Sequence, residues 1–513
     1  MPAVPRNPAL DVVVIGAGLA GLSCAVRLTD RGLRVGVLER SDVAGGRARS
    51  WADPRTGDIV DIGPHVILNK YANMLGLLER LGTRHEICWE TRKLLTVLDK
   101  GRRIPIQQWR LPPPLHGARN LLRMLPSVPL HVMASNVRVA WDAMTRTEDE
   151  MMLLDGLSAR QHLTAMGVHR DFIDWFWASA SIALLNVPVE QCSAAALMRV
   201  FAQMIGHNDS AFGFPKVGLS DLYVPQAVDV ITQGGGCVML GCGAAQLQWR
   251  DGRVIGVRTD RGSVLPARAC VLAAPPAAAA SLLPGEAPAR MAAARMQPSP
   301  YVSTYLWFDR RITHERFWAR PWSPCEFNTD FYDLTNIRAD PSATGQGAAG
   351  ESEAGSLIGA NLIWSHRAHG MTDEAIVSAT LNELADFAPA VKQARVRSAK
   401  VHRIPMAVPC PTPGTERQRP DTLAIPGLYL AGDWTRTGLP CCMEGATRSG
   451  ALAAEAVLAA AGMTSRIALP VPETRGLAGL LRRFWPRRRS PGRDGATRPQ
   501  TGPAPASRPS RTI

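Results

Sequence analysis

The 513-residue sequence lacks the features that mark several common classes of protein. Its ten cysteines include no C-x-x-C pair, so we expect neither a disulfide framework nor a bound metal, and a reducing cytoplasm fits best. No apolar run is long enough to be a convincing membrane span. The apolar stretch 10–28 has neither the basic start nor the cleavage site of a signal peptide.

The net charge of +14 is unevenly distributed along the chain. From Met463 onward there are eleven arginines and two acids, so the basicity belongs to a tail and not to a nucleic-acid-binding face. This tail predicts a short basic amphipathic helix that contacts an anionic membrane surface, followed by a disordered Pro- and Arg-rich end. A tail without membrane contact is the alternative. The apolar residues at helical spacing are Leu477, Leu480, Leu481, Phe484 and Trp485.

Near the N-terminus, the pattern is that of a strand, a glycine-rich turn and a helix. Gly16 permits a tight turn, Gly18 lets the backbone approach a pyrophosphate, and Gly21 lets the helix pack closely on the strand. The helix N-terminus would face the phosphates, and an acid ends the next strand at the spacing that suits ribose hydroxyls. The sequence therefore predicts a dinucleotide site. Its predicted residues are Gly16, Gly18, Leu19, Ala20, Gly21, Glu39 and Arg40.

Two further motifs decide which dinucleotide is expected. Gly45-Gly46-Arg47 follows the acidic strand, and the strand 427–431 ends at Gly432-Asp433. A helix then opens with Met443-Glu444-Gly445-Ala446. Here the chain resembles the superfamily of flavin amine oxidases and carotenoid desaturases, which implies FAD as the cofactor.

In that superfamily the arginine of the G-G-R loop lies near the pyrophosphate, a role that suits a guanidinium. The resemblance likewise implies that Asp433 binds the ribityl or pyrophosphate part of FAD. The helix that begins with Met443, Glu444 and Gly445 would point its N-terminus at the flavin, where it favours the negative charge of the reduced ring. A hairpin over 241–257 would bring Ala244 to the adenine.

A downstream segment, Gly63-Pro64-His65 with Tyr71 and Leu81-Gly82, resembles carotene desaturases and squalene-associated desaturases. Such enzymes act on long isoprenoid hydrocarbons, and the flavin performs the chemistry. The resemblance implies hydride transfer to the flavin in a desaturase, or from it in a hydroxysqualene dehydroxylase. Gly63, Pro64 and His65 are expected to line the flavin. His65 is the candidate for proton transfer, and a structural role for this histidine is the alternative.

The spacing of these motifs predicts an α/β fold with a discontinuous, Rossmann-type, glutathione-reductase-like FAD domain. We assign residues 1–105, 215–290 and 420–462 to this domain. A mixed α+β substrate domain, 106–214 and 291–419, would cover the flavin, with helical periods in the first part and strand-like alternation over residues 296–315. Residues 463–513 form the tail. The protein is expected in the cytoplasm, peripheral on the inner face of the membrane.

Two other functions stay open at this stage. A flavin amine oxidase acting on an amine is one, although the stretch 298–308 lacks the lysine that many of those enzymes carry before a comparable strand. A non-catalytic prenyl-lipid-binding protein of similar fold is the other, although the retention of Arg47 and Asp433 argues against it. The vicinal Cys441 and Cys442 are expected to be packing residues, with a redox role as the alternative.

Overall fold

The computed structural model describes residues 10–90, 93–107, 109–126, 128–339 and 355–484. The strands are β1 (Val12–Ile15), β2 (Val35–Leu38), β3 (Ser50–Ala52), β4 (Ile59–Asp61), β5 (Ile67–Leu68), β6 (Ile87–Trp89), β7 (Leu95–Asp99), β8 (Arg102–Ile106), β9 (Phe212–Pro215), β10 (Cys237–Met239), β11 (Ala244–Arg250), β12 (Arg253–Thr259), β13 (Val264–Pro266), β14 (Ala269–Leu272), β15 (Pro298–Phe308), β16 (Phe317–Ala319), β17 (Asp330–Asp333), β18 (Leu357–Ile363), β19 (Val396–Pro409), β20 (Leu423–Ile425) and β21 (Leu428–Leu430).

The helices are α1 (Leu19–Thr29), α2 (Ala72–Leu81), α3 (Ala118–Met124), α4 (Leu130–Ala134), α5 (Val137–Thr145), α6 (Glu148–Met152), α7 (Ala159–Ala165), α8 (Arg170–Phe172), α9 (Ala178–Leu185), α10 (Ala194–Ile205), α11 (Val224–Gln233), α12 (Pro276–Leu282), α13 (Pro288–Arg295), α14 (Leu334–Arg338), α15 (Asp373–Phe387), α16 (Thr415–Gln418), α17 (Met443–Ala460) and α18 (Gly476–Phe484).

Six strands form the first sheet in the order β10-β2-β1-β14-β21-β20. The strands from β10 to β21 pair in parallel, although they come from three separated parts of the chain. Every residue of β1, β2, β14 and β21 is buried, as expected where helices cover both faces of a parallel sheet. The predicted α/β, discontinuous Rossmann-type domain is therefore confirmed.

Seven strands form the second sheet in the order β19-β15-β18-β17-β16-β7-β8. Leu306 and its even-numbered neighbours on β15 pack with α15. The odd-numbered residues face the first domain, where Tyr305 Oη donates to Asp61 O at 2.9 Å and Trp307 Nε1 donates to Asp58 Oδ2 at 2.7 Å. One face of this sheet therefore lies towards the nucleotide domain.

The chain passes from the first sheet to the second before the predicted domain boundary at residue 105. Strand β7 pairs in parallel with β16, and β8 pairs with β7, so residues 95–106 belong to the second sheet. The sequence offered no sign of this, because a two-stranded hairpin carries the same alternation whichever sheet it joins. The helices α3 to α10 follow and build their own core around Phe172, Trp177 and Leu197.

The predicted tail helix is present as α18 and lies against this helical region. Leu477 N donates to Pro113 O at 3.0 Å, and Arg482 Nε donates to Arg146 O, just after α5, at 3.2 Å. Trp485 and the predicted disordered end lie outside the described residues. Within the part of the chain that the structure describes, no helix combines the length and the apolar character needed to cross a bilayer.

Candidate functional site

The glycines after β1 serve two different purposes. A Cβ on Gly16 would lie 2.8 Å from Ala273 O, and one on Gly21 would lie 1.9 Å from Gly16 O. Gly16 also has φ +109°, which disfavours any side chain. By contrast, among the described residues a Cβ on Gly18 would meet nothing closer than Gly46 Cα at 3.9 Å. Gly16 and Gly21 are therefore required by the fold, whereas Gly18 keeps open the approach to α1.

The first turn of α1 has the character of an anion site. It starts at the buried Leu19 and Ala20 and has no acid in its first turn, and no side chain in the described part of the chain caps it. The N–H groups of a first helical turn have no partner within the helix and favour a phosphate. The second glycine loop lies directly beside it, because Gly45 N donates to Ala17 O at 2.9 Å and Gly46 adjoins Gly18. The two loops form one cradle.

Glu39 lies at the end of β2 beside this cradle. Its carboxylate accepts from Ala17 N and from Ser41 N, both at 2.9 Å. Glu39 O accepts from Cys242 N at 2.8 Å, which places the start of β11, and with it Ala244, next to the acid. The exposed Arg40 packs its stem near Gly243. Positions about 200 residues apart in the sequence thus meet beside the acid. The contact of Ala244 with the adenine stays a prediction.

Arg47 and Asp433 are brought together from the two ends of the domain. Arg47 Nη2 lies 2.6 Å from Asp433 Oδ1, and Nη1 donates to Ala407 O at 3.1 Å. The Asp433 side chain is only 4% exposed. Burial opposes the charge of the guanidinium, but Asp433 outweighs this effect, so the pKa of Arg47 is raised. The preceding Gly432, with φ +142°, allows Trp434 to turn back beneath the strand.

The segment from Gly63 to His65 lies between Arg47 and the second sheet. A Cβ on Gly63 would meet Ser303 Oγ at 2.7 Å, and Pro64 packs where Gly359 leaves room. His65 Nδ1 lies 2.6 Å from Gly63 O. Since a carbonyl only accepts, Nδ1 carries the proton. Burial, and secondly the charge of Arg47, lower the pKa of His65, so the imidazole is neutral with Nε2 as an acceptor.

The sequence matches one known protein family over most of its length. The family of flavin-containing amine oxidoreductases matches residues 19–458. The chain belongs to this family. It is an FAD-dependent oxidoreductase, so the predicted cofactor and the predicted resemblance to carotenoid desaturases are both confirmed, and the non-catalytic alternative is set aside.

Among characterised relatives of this FAD-dependent oxidoreductase is the 15-cis-phytoene desaturase of Synechococcus elongatus, which is 26% identical over 88% of this chain and 96% of its own length. The corresponding enzyme of Solanum lycopersicum is 28% identical over 88% of this chain and 78% of its own. In structure, the chain is similar to putrescine oxidase, with a TM-score of 0.66 and 15% identity over 88% of this chain and 99% of the other. Cyclohexylamine oxidase from Brevibacterium oxydans is also similar in structure, with a TM-score of 0.63 and 19% identity over 89% of this chain and 100% of the other. These two structures establish the shared fold alone.

The residues present in this FAD-dependent oxidoreductase fit FAD. The uncapped start of α1 and the two glycine loops leave backbone N–H groups for a pyrophosphate. Glu39 would bind ribose hydroxyls, and the Arg47–Asp433 pair would adjoin the pyrophosphate or ribityl chain. Gly450 lets α17 approach α1 closely, since a Cβ there would lie 2.3 Å from Ala20 O. This contact fixes the C-terminal motif against the N-terminal one.

The first residues of α17 lie at the candidate cofactor site and also contact helix α2. Glu444 turns its carboxylate to α2, where it accepts from Asn73 N and Met74 N, both at 2.9 Å. Burial raises the pKa of Glu444, and the Asn73 hydrogen bonds offset part of that rise. Glu444 therefore caps α2. Its main-chain N–H and that of Met443 would remain for FAD, whereas the N–H of Gly445 is taken up by Cys442 Sγ.

Neither Cys441 nor Cys442 has the environment of a reactive thiol. Burial raises the pKa of Cys441, and it raises that of Cys442 to about 12, so both are neutral thiols at physiological pH. Cys442 Sγ accepts from Gly445 N at 3.4 Å and caps α17. The observed contacts are those of the predicted packing residues.

Arg419 is a residue of this region that sequence reasoning did not identify. It is buried, it pairs with Glu416 at 2.9 Å, and it donates to Asp433 O and Leu439 O at 3.2 and 2.8 Å. It therefore holds the loop that carries Asp433. No motif surrounds it in the sequence, and only its position directly before the predicted C-terminal part of the FAD domain, residues 420–462, could have drawn attention to it.

Proposed function

We propose that this protein oxidises or reduces a long isoprenoid lipid by moving a hydride to or from FAD. The likeness to 15-cis-phytoene desaturases across 88% of the chain carries this proposal. The character of the second sheet supports it, because the face towards the nucleotide domain is rich in aromatic side chains. These include Tyr305, Trp307, Phe317 and Tyr332, with Phe214 packed among them.

The residues of the site then have defined tasks. FAD supplies the hydride acceptor or donor. The glycine loops with Leu19, Ala20 and the Arg47–Asp433 pair would hold its phosphates and ribityl chain, while Glu39 and Ala244 would hold the adenosine end. His65 would present Nε2 as a proton acceptor near the reacting carbon. The aromatic side chains, which are buried between the second sheet and the nucleotide domain, would exclude water from this side of the flavin.

We further propose that a surface of exposed leucines rests on an anionic membrane and receives the lipid there. Leu122 of α3 is 62% exposed and Leu480 of α18 is 54% exposed. Arg119 and Arg123 lie on the same helix as Leu122, and Arg482 and Arg483 lie beside Leu480. Apolar side chains surrounded by arginines suit the headgroup boundary of an anionic bilayer. The other exposed members of this leucine surface are Trp109, Leu111, Leu115, Leu121, Leu130, Val137, Trp141, Leu477 and Phe484.

We expect the double substitution Leu121→Ser and Leu122→Ser to release the protein from anionic vesicles. Burial of two such half-exposed leucines is worth on the order of 2 kcal/mol, so the vesicle affinity should fall about tenfold or more. Flotation of the full chain with phosphatidylglycerol vesicles measures this. Leu423→Ser is the control, because Leu423 is 60% exposed but lies on β20, away from this surface. Equal flotation of the double variant and the wild type would disprove the membrane surface.

Mass spectrometry of lipids tests the proposed substrate class. We expect bacteria that make hydroxysqualene or phytoene to show a changed lipid when they also make this protein. Loss of the hydroxyl group would identify a reductive enzyme, and loss of paired hydrogens a desaturase. A variant that does not retain FAD serves as the control. If both lipids remained unchanged while the purified protein contained FAD, the isoprenoid proposal would fall and an amine substrate would replace it.

A further inference from the structure

Three arginines and three acids alternate along one row that runs from the helical region to the candidate cofactor site. Arg199 of α10 lies between two acids, since its Nε is 2.9 Å from Glu148 Oε1 and its Nη1 is 2.6 Å from Glu416 Oε2. Arg419 Nη2 lies 2.9 Å from Glu416 Oε1, and Arg419 Nη1 donates to Asp433 O at 3.2 Å. The charged row therefore consists of Glu148, Arg199, Glu416, Arg419, Asp433 and Arg47.

The inner members of the charged row are shielded from water, whereas its outer end is not. The side chains of Glu416 and Arg419 are each only 3% exposed, and that of Arg199 is 10% exposed. By contrast, the side chain of Glu148 is 55% exposed. Water and salt screen an exposed charge, but a buried charge acts over a longer distance because the protein interior has a lower dielectric constant. The charges of Glu416 and Arg419 should therefore affect neighbouring groups.

Arg419 packs against the loop that joins the two parts of the C-terminal motif. Besides Asp433 O, its guanidinium donates to Leu439 O at 2.8 Å and lies 3.2 Å from Cys441 Sγ. This loop begins at Asp433 and ends at Met443, the first residue of α17, and both residues are expected to adjoin FAD. Arg419 is thus a buried cation held against the loop that connects the pyrophosphate or ribityl end of the predicted site with its flavin end.

The acids of the charged row compensate its arginines unequally. Arg199 pairs with two acids, Glu148 and Glu416. In the part of the chain that the structure describes, Glu416 is the only acid that forms an ion pair with Arg419. Loss of the Glu148 charge would leave Arg199 with its second partner, whereas loss of the Glu416 charge would leave Arg419 buried and uncompensated.

We propose that Glu416 sets the reduction potential of FAD by compensating the charge of Arg419. Reduction adds negative charge to the flavin, and an uncompensated cation nearby would favour the reduced form. Glu416 acts through Arg419 and does not itself bind FAD, so it is a positioning residue and not a catalytic one. The reduction potential is a property of the protein without substrate, so this role goes beyond the proposed isoprenoid function. It rests on the assignment of Asp433 and Met443 to FAD.

Equilibration with a reference dye tests this role of Glu416. We would reduce the FAD-loaded full chain without oxygen, together with a dye of known potential, and follow both absorbances. Glu416→Gln keeps the shape of the side chain and removes its charge. At a fixed dye potential, its ratio of reduced to oxidised FAD should exceed that of the wild type about tenfold, which is about 30 mV for a two-electron couple. Glu148→Gln is the control and should match the wild type, because this member of the row is exposed.

Arg419→Gln should shift the same ratio in the opposite direction, because it removes the cation and leaves Glu416 paired with Arg199. Shifts of equal sign in Arg419→Gln and Glu416→Gln would mean that both disturb the loop, and the electrostatic role would be overturned. A wild-type potential in FAD-containing Glu416→Gln, or an equal shift in Glu148→Gln, would overturn it as well. Loss of FAD from both inner variants would assign the pair to folding alone and reject the proposal. None of these outcomes depends on the lipid substrate, so they leave the proposed function untouched.

Discussion

Asp433→Ala is expected to purify largely without FAD. The substitution removes the carboxylate that lies 2.6 Å from Arg47 Nη2 and leaves the guanidinium in a mostly buried position without its partner. Breaking a buried ion pair by removing one member costs about 3–5 kcal/mol. If that cost falls on the cofactor-binding conformation, FAD affinity drops at least about a hundredfold. The ratio of flavin to protein absorbance, and FAD titration of the apoprotein, measure the change.

A double substitution shows whether Arg47 and Asp433 act on FAD binding together or separately. Because the two side chains contact each other, we expect Arg47→Met combined with Asp433→Ala to weaken FAD binding by less than the sum of the single effects. Asp421→Ala provides the control, since Asp421 forms an exposed ion pair with Arg436 in the same part of the chain. A yellow Asp433→Ala protein with wild-type FAD content would contradict the assignment of this residue to the cofactor.

Those parts of the fold that depend on local sequence could be predicted. The buried strands of the first sheet, the glycine turn and the acid at the end of β2 follow from residue periodicity and from the conformations that glycine allows. Gly432-Asp433 could also be recognised, because it resembles the corresponding motif of flavin amine oxidases and carotenoid desaturases. In each case a few neighbouring residues are enough to predict the feature.

Long-range pairing could not be predicted in the same way. The transfer of β7 and β8 to the second sheet and the capping of α2 by Glu444 both depend on partners far away in the sequence. The pairing of β15 with β18 and β19 is similar, since residues up to about 100 positions apart meet only through strand register. A single sequence contains no measure of such register.

Substitutions of two glycines in the N-terminal motif should separate a requirement of the fold from a requirement of FAD binding. We expect Gly21→Ala to destabilise the apoprotein, because the new Cβ would lie 1.9 Å from Gly16 O and the strand and helix would have to move apart. Overpacking of this kind lowers the free energy of unfolding by about 1–3 kcal/mol. Here the new methyl group would clash with backbone atoms. Gly18→Ala should leave the apoprotein as stable as the wild type, since the nearest described atom to its Cβ is Gly46 Cα at 3.9 Å and Gly18 already has φ −80°.

The same Gly18→Ala protein should bind FAD far more weakly, because its methyl group would project where the pyrophosphate approaches the start of α1. Thermal unfolding of the apoproteins and FAD titration of both variants separate the two effects. A large fall in apoprotein Tm for Gly18→Ala would mean that Gly18 serves the fold. Normal FAD affinity in a stable Gly18→Ala protein would mean that the pyrophosphate does not pass over this residue, and the site assigned to the N-terminal motif would be wrong.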